Sequence, residues 1–235
     1  MSMRDFRYYV VPDEDIYRLM IPKFNRIVGS ETWHDEVADY VLAGSRDWML
    51  SRLDALAVPG IQIDLGFPSN FDIRNRGRLP VFANLIADRI KEIAGTQLVS
   101  IKLSKRHSTQ TTLSIAEVIP TRPARAIAAA TVSTRRSYAT PGFASEVRDA
   151  VGEIRAAINP KDPLCLNLSY VTGLPRTWSR LWLPTISGIF STESARDLFR
   201  DTQVMELALD HHSVGERLGH SVNIAVSLHQ PSLTA

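Results

Sequence analysis

Apolar and polar residues alternate with period two in Ile61-Gln62-Ile63-Asp64-Leu65-Gly66-Phe67. That pattern puts one set of side chains on a buried face and predicts a half-buried strand. Phe6-Arg7-Tyr8-Tyr9-Val10-Val11 is aromatic and β-branched, stops at Pro12, and predicts another strand. Asp13 to Thr32, broken by Pro22 and Gly29, reads as irregular. Ala38 to Leu56 carries Val41, Trp48, Leu53 and Leu56 on roughly one helical face and closes at Pro59-Gly60. Pro80 fits the first turn of a helix that runs to Ile93 and ends at Gly95. Leu98 to Leu103 and Thr112 to Val118 then predict a strand pair.

The same order recurs downstream. Ala126 to Val132 is a strand of weak propensity, Phe143 to Ile158 a helix, and Leu164 to Val171 a strand. Pro184 opens a further helix, and Val204 to Leu209 with Ser221 to Leu228 form a second strand pair. The recurrence extends to residues. Thr96-Gln97-Leu98-Val99-Ser100-Ile101-Lys102-Leu103 matches Thr202-Gln203-Val204-Met205-Glu206-Leu207-Ala208-Leu209, and Leu79-Pro80 matches Leu183-Pro184. Ile63, Leu65 and Phe67 match Leu166, Leu168 and Tyr170. Collinear matches of this kind predict an internal duplication. The expected organisation is two tandem α+β units, 1–119 and 120–235, joined near Ile119 to Pro123 without a glycine- or serine-rich linker. Two such copies can pack about a pseudo-twofold axis, making one chain the equivalent of a dimer.

Composition adds little to that picture. The 235 residues are 44% apolar and 22% charged, as in ordinary globular domains. No apolar run reaches the roughly 18 residues of a membrane span, and the start of the chain has no signal-peptide core, so no membrane association and a cytoplasmic setting are expected. The one cysteine, Cys165, lies in an apolar run and reads as a buried small hydrophobe. A net charge of +2 does not by itself imply a polyanionic partner.

Several stretches of the second half resemble RusA-type Holliday-junction resolvases. Leu164 to Val171 is similar to a strand of that family. Thr177-Trp178-Ser179-Arg180-Leu181 falls where the family has an Asp-x-Asp-Asn-Leu element, and Arg200-Asp201-Thr202-Gln203-Val204 is similar to its second acidic element. The resemblance covers 112–235 and, through the repeat, 6–118. It implies a single-chain pseudodimer of RusA-like units, working as a monomer or as a homo-oligomer. It also implies Mg²⁺-dependent phosphodiester chemistry, which needs clustered carboxylates. Here Thr177 and Ser179 stand where two of the acids belong. Asp201 survives, as the one metal-ligand candidate. Asp72 lies near the corresponding place in the first half, and Gly95 matches Asp201. Asp72 and Asp201 are expected on different elements, too far apart to share an ion.

The arginines supply the binding expectation. Arg74, Arg76 and Arg78 alternate in one loop, Arg135 and Arg136 share another, and Arg176 and Arg180 flank Trp178. Guanidinium groups beside an aromatic ring suit phosphates and unstacked bases. The sequence therefore predicts a catalytically degenerate protein that binds branched or single-stranded nucleic acid through these loops. Its rivals are a Mg²⁺-dependent endonuclease with an altered metal site, using Asp201 with Asp210, Glu206 or Asp72, and a non-enzymatic component with a protein partner. Asp210-His211-His212 with His220 reads as a polar hairpin tip, the two adjacent imidazoles facing opposite sides.

Overall fold

The computed structural model describes residues 8–12, 15–20, 33–74, 77–95, 98–121, 125–159, 162–173, 178–190 and 201–230. In chain order the elements are β1 (Tyr8–Val10), β2 (Tyr17–Met20), α1 (Trp33–Leu53), β3 (Pro59–Phe67), α2 (Leu79–Ala94), β4 (Ser100–His107), β5 (Gln110–Glu117) and β6 (Ile119–Thr121). They continue with β7 (Ala128–Thr134), α3 (Pro141–Ala150), α4 (Gly152–Ala157), β8 (Leu164–Gly173), α5 (Trp182–Phe190), β9 (Val204–Gly215) and β10 (Val222–His229). Eight strands form one mixed sheet in the order β2-β5-β3-β4-β9-β8-β10-β7, and β1 pairs with β6 in a separate two-stranded ribbon.

The helices cover one face. α2 shows why: Leu79, Phe82, Ala83, Ile86 and Ile90 recur at helical spacing and all are buried. α1 lies against α2, α2 against α5, and α5 against α3. Beneath them the alternate residues Ile61, Ile63 and Leu65 of β3, Ile101 and Leu103 of β4, Leu207 and Leu209 of β9, and Leu166 and Leu168 of β8 join one core. That core runs through both halves of the chain without a break.

The sheet is symmetric in its order. From each edge inward, β2-β5-β3-β4 and β7-β10-β8-β9 follow the same connectivity, and β4 meets β9 antiparallel at the centre. The register has the same symmetry. Ser100 pairs with Asp210, Lys102 with Ala208 and Ser104 with Glu206. The repeat aligns Ser100 with Glu206, Lys102 with Ala208, and Ser104 with Asp210, so the pairing maps onto itself about the Lys102–Ala208 pair.

Several expectations are corrected. Of the strand predicted at Phe6 to Val11, Tyr8–Val10 lie in the ribbon, and the edge strand β2 falls inside the stretch read as irregular. β2 is four residues long and exposes Met20 beside Arg18 on its outer side, which hides its period. The predicted strand pairs are not hairpins. β4 lies between β3 and β9, so β5 pairs across β3 instead. The connection passes over the end of β3, where the Ser108 N–H donates to the Phe67 carbonyl at 3.1 Å. In the second half the link from β9 to β10 passes over the end of β8, and the Gly173 N–H donates to the Ser221 carbonyl at 3.2 Å. A Cβ on Gly173 would lie 1.9 Å from the Gly219 carbonyl oxygen, so only glycine fits there. The helix predicted over 143–158 is two helices, interrupted at Val151 (φ −102°, ψ 24°) just before Gly152.

Candidate functional site

The face opposite the helices carries the polar half of each strand's alternation. Cross-strand pairing arranges these residues in rows. The central row is Ser114, Gln62, Lys102, Ala208, Asn167 and Ser227, from β5 across to β10. On one side lies Thr112, Asp64, Ser104, Glu206, Cys165 and His229. On the other lies Ala116, Gly60, Ser100, Asp210, Ser169 and Ala225.

The last of these rows is covered. The β1–β6 ribbon sets Tyr9, Val11 and Val118 against it as a small apolar cluster. Gly60 permits this approach, because a Cβ there would lie 2.3 Å from Val118 Cγ1 and 2.8 Å from Val11 Cγ2. Asp210 is consequently buried. It accepts from Ser100 Oγ at 2.7 Å and from the Tyr9 backbone N–H, and burial pushes its carboxyl up to about 6.

The other two rows open into a groove of about 850 Å³, with the loop Phe71 to Arg74 at its rim. That volume is within the range of small-molecule sites. Asp64 is fully engaged, accepting from Ser104 Oγ (2.6 Å), Arg106 Nη2 (2.9 Å) and Thr112 Oγ1 (3.2 Å). Lys102 differs: it is half-buried, lines the groove and makes no hydrogen bond or ion pair among the described residues. Desolvation lowers its ammonium below the usual lysine range, against the opposing charge of Asp210. Its cross-strand partner is Ala208, so the space where a second long side chain would lie is open. Glu206 and Asp210 sit diagonally from it on the same face, one open to the groove and one covered. Cys165 also faces the groove rather than the core. Its thiol is pushed up to about 12 by desolvation and by Glu206 beside it, which makes it a poor nucleophile.

The residues singled out from sequence are dispersed. Asp72 and Arg74 are exposed at the rim of the groove. Arg78 is half-buried, its backbone N–H donating to His34 Nε2 at 3.2 Å. Arg135 and Arg136 are exposed beyond the end of β7, Arg135 Nε donating to Ser221 Oγ at 3.2 Å and Arg136 Nε to Glu146 Oε1 at 2.5 Å. β3 and β8 run in opposite directions, so these two arginines lie at the end of the sheet away from Arg74. Arg180 is exposed and donates to Tyr138 Oη at 3.2 Å. Trp178 is buried, with its ring stacked 5.1 Å from His211 and edge-on to Trp182 at 4.6 Å. It presents no open face for a base. Arg76, Arg176 and the side chain of Asp201 lie outside the described residues.

Lys105, buried on the helix side, donates to the carbonyls of Gly77 (3.0 Å) and Thr202 (2.5 Å), joining the backbone of those two segments at the end of β4. One further expectation changes. His211 and His212 lie within β9, not at a hairpin tip. Their opposite facing holds: His211 packs under Trp178, bonded to Thr172 Oγ1 at 2.7 Å, and burial lowers its imidazole to about 4. Among the described residues no three His, Cys, Asp or Glu side chains are grouped to hold a metal. No described helix is long and apolar enough to cross a membrane. Of the groove residues, Lys102 and Asn167 were not singled out from sequence, and Glu206 entered only as a possible companion of Asp201 in a metal site. Their signal was present as polar side chains on the alternate positions of central, otherwise apolar strands.

No family model and no curated protein matches this chain. It is similar to a solved structure described as "Cyanuric acid hydrolase: evolutionary innovation by structural concatenation", at 10% identity. The match covers 96% of this chain and 68% of that chain with a TM-score of 0.23, an overlap too slight to carry a fold or a function. The expected kinship with RusA-type resolvases, and the Holliday-junction role with it, is corrected: no family model, that of the resolvases included, matches the chain. The fold gives the physical reason. Trp178 and Ser179, where the family's acidic loop should be exposed, are buried in a 3-10 turn leading into α5. The terminal strand pair is split by β8.

Proposed function

We propose that this protein binds a small anionic ligand, one bearing a carboxylate or phosphate, in the groove on the open face of β3, β4, β9 and β8. One observation carries the reading: Lys102 is an uncommitted, half-buried ammonium in a groove of about 850 Å³. An ammonium with no hydrogen bond or ion pair among the described residues, in a partly dried site, gains most from an anion that reaches it. Arg74 at the rim would meet a second anionic group, and Gln62, Ser104 and Asn167 supply neutral hydrogen-bonding groups. The sheet reads further as a single-chain pseudodimer made by duplication, supported by its symmetric order and register. On that reading the groove lies over the pseudo-twofold axis, and the exchange of lysine for alanine between the copies made it asymmetric.

The test is calorimetric titration of the full chain with inorganic phosphate, a dicarboxylate and a nucleoside monophosphate. Saturable binding is expected for at least one, weakened about 10- to 100-fold in Lys102→Met, as loss of a charge-assisted contact implies. Equal affinity in that variant would refute the assignment.

Single-stranded nucleic acid is a second reading, favoured by Arg74 at the groove entrance. A phosphodiester could cross the groove between Arg74 and Lys102. Affinity for a short oligonucleotide would then fall steeply with salt and drop in Arg74→Ala. Weak binding unaffected by Arg74→Ala would remove it.

A further inference from the structure

We propose that Lys102 is a carbonyl-capturing residue, whose amine forms a reversible imine with an aldehyde or α-keto acid bound in the groove. This rests on the groove being a ligand site and adds the chemical class of the ligand. Three features of the geometry lead to it. First, the amine has no hydrogen bond or ion pair among the described residues to hold its proton, and desolvation favours its neutral form over the opposing charge of Asp210. Second, Ala208 opposite leaves room for a tetrahedral adduct where the repeat would otherwise place a side chain like Lys102 itself. Third, Glu206, diagonal to Lys102 on the same face and lining the groove, offers a carboxyl for proton transfer. Asp210, the other diagonal carboxyl, is bonded to Ser100 beneath the ribbon and is not open to a ligand.

The step balances within these groups. The neutral Nζ attacks the carbonyl carbon, a C–N bond forms, and the carbonyl π pair moves to oxygen, which takes a proton from Glu206. The resulting carbinolamine loses the nitrogen proton to the Glu206 carboxylate. Glu206 passes that proton on to the hydroxyl, which leaves as water while the nitrogen lone pair closes a protonated C=N. No oxidant or reductant is consumed. The carboxylate of an α-keto acid would extend toward Arg74 at the rim.

The chain has five lysines, Lys23, Lys91, Lys102, Lys105 and Lys161, so the site of capture can be read directly. The full chain is incubated with glyoxylate and cyanoborohydride near neutral pH, and the reduced adducts are mapped by peptide mass spectrometry. Saturable labelling concentrated on Lys102, at least tenfold faster than on exposed Lys91 and slowed in Glu206→Gln, is the expected result. Labelling of Lys102 no faster than of Lys91 would overturn the imine. Phosphate titration in parallel separates the two readings. If phosphate still binds and Lys102→Arg keeps that binding, only the imine fails. If phosphate, glyoxylate and the dicarboxylate all fail to bind, the groove reading falls with it. Circular dichroism of each variant checks that the fold is retained.

Discussion

At the scale of single residues, burial separates side chains that the sequence presents as equivalents. Asp210 and Glu206 lie four residues apart on one face of β9, yet the ribbon covers only the first. A carboxyl whose folded pKa is raised adds stability below its unfolded pKa and loses it as pH rises through the folded value. For Asp210 that window runs from about 4 to about 6. His211 has the opposite sense. Its lowered pKa adds stability above the ordinary imidazole value, and this is lost as pH falls through about 4. The two slopes oppose each other across the same interval. Asp210→Asn leaves the histidine's slope alone, so acidification from pH 6.5 to 4 should destabilise the variant more than the parent. The expected difference is roughly 3 kcal/mol, since about two pKa units are involved and each is worth about 1.4 kcal/mol. Urea unfolding at several pH values measures it, and parallel curves for parent and variant would contradict the burial of Asp210.

At the scale of elements, most of the helices and central strands were legible, because their apolar periods are strong. Ile61 to Phe67 alternates cleanly, and Pro80 with Gly95 brackets α2. Register was not legible. The sequence aligns Ile63 with Leu166, whereas the parallel pairings set Ile61 beside Ile101 and Leu166 beside Leu207, making Ile61 the counterpart of Leu166. A slip of two residues keeps every side chain on its face, so the pattern cannot detect it. Partner choice was equally hidden, because nothing local in β4 or β5 says that β3 lies between them. The candidate site was read from loops rich in arginine, whereas the groove is built from strand positions whose rows exist only after pairing. The ribbon gives the prediction at this scale. Gly60→Ala puts a methyl group into Val118 and Val11. Overpacking of this kind costs about 1–3 kcal/mol. If the ribbon instead lifts away, Asp210 meets water and its carboxyl returns toward the ordinary range. Thermal unfolding together with the carbonyl-carbon NMR titration of Asp210 distinguishes the two responses. A variant with unchanged stability and an unchanged titration would show that the ribbon does not hold that row closed.

At the scale of the whole molecule, the central β4–β9 pairing is the joint between the halves, and its symmetry makes a specific demand. A fragment spanning 125–235 keeps β7 to β10 and α3 to α5, but exposes β9 as an edge and opens the shared core beside it. A second copy can supply what β4 supplied. The symmetric register then sets Ala208 against Ala208, Leu207 against Leu209 and Glu206 against Asp210, because in the intact chain β9 meets its own counterpart residues in that order. The apolar pairs are retained. The carboxyl pairs are not: facing like charges across strands are destabilising, by roughly 0.2–1 kcal/mol each, and more where one is buried. The intact chain avoids this by placing Ser100 opposite Asp210 and Ser104 opposite Glu206. Glu206→Ser in the fragment restores both serine–acid pairs at once, since each copy presents its serine to the partner's aspartate. The fragment should therefore dimerise weakly, and the Glu206→Ser fragment at least tenfold more tightly. The preference should shrink at acid pH, where the carboxyls of the parent fragment become neutral. Light scattering across a concentration series at pH 5 and 7.5 reads the dissociation constants. A folded monomer, or a dimer indifferent to Glu206→Ser, would mean that the symmetry of the register contributes nothing to how the halves associate.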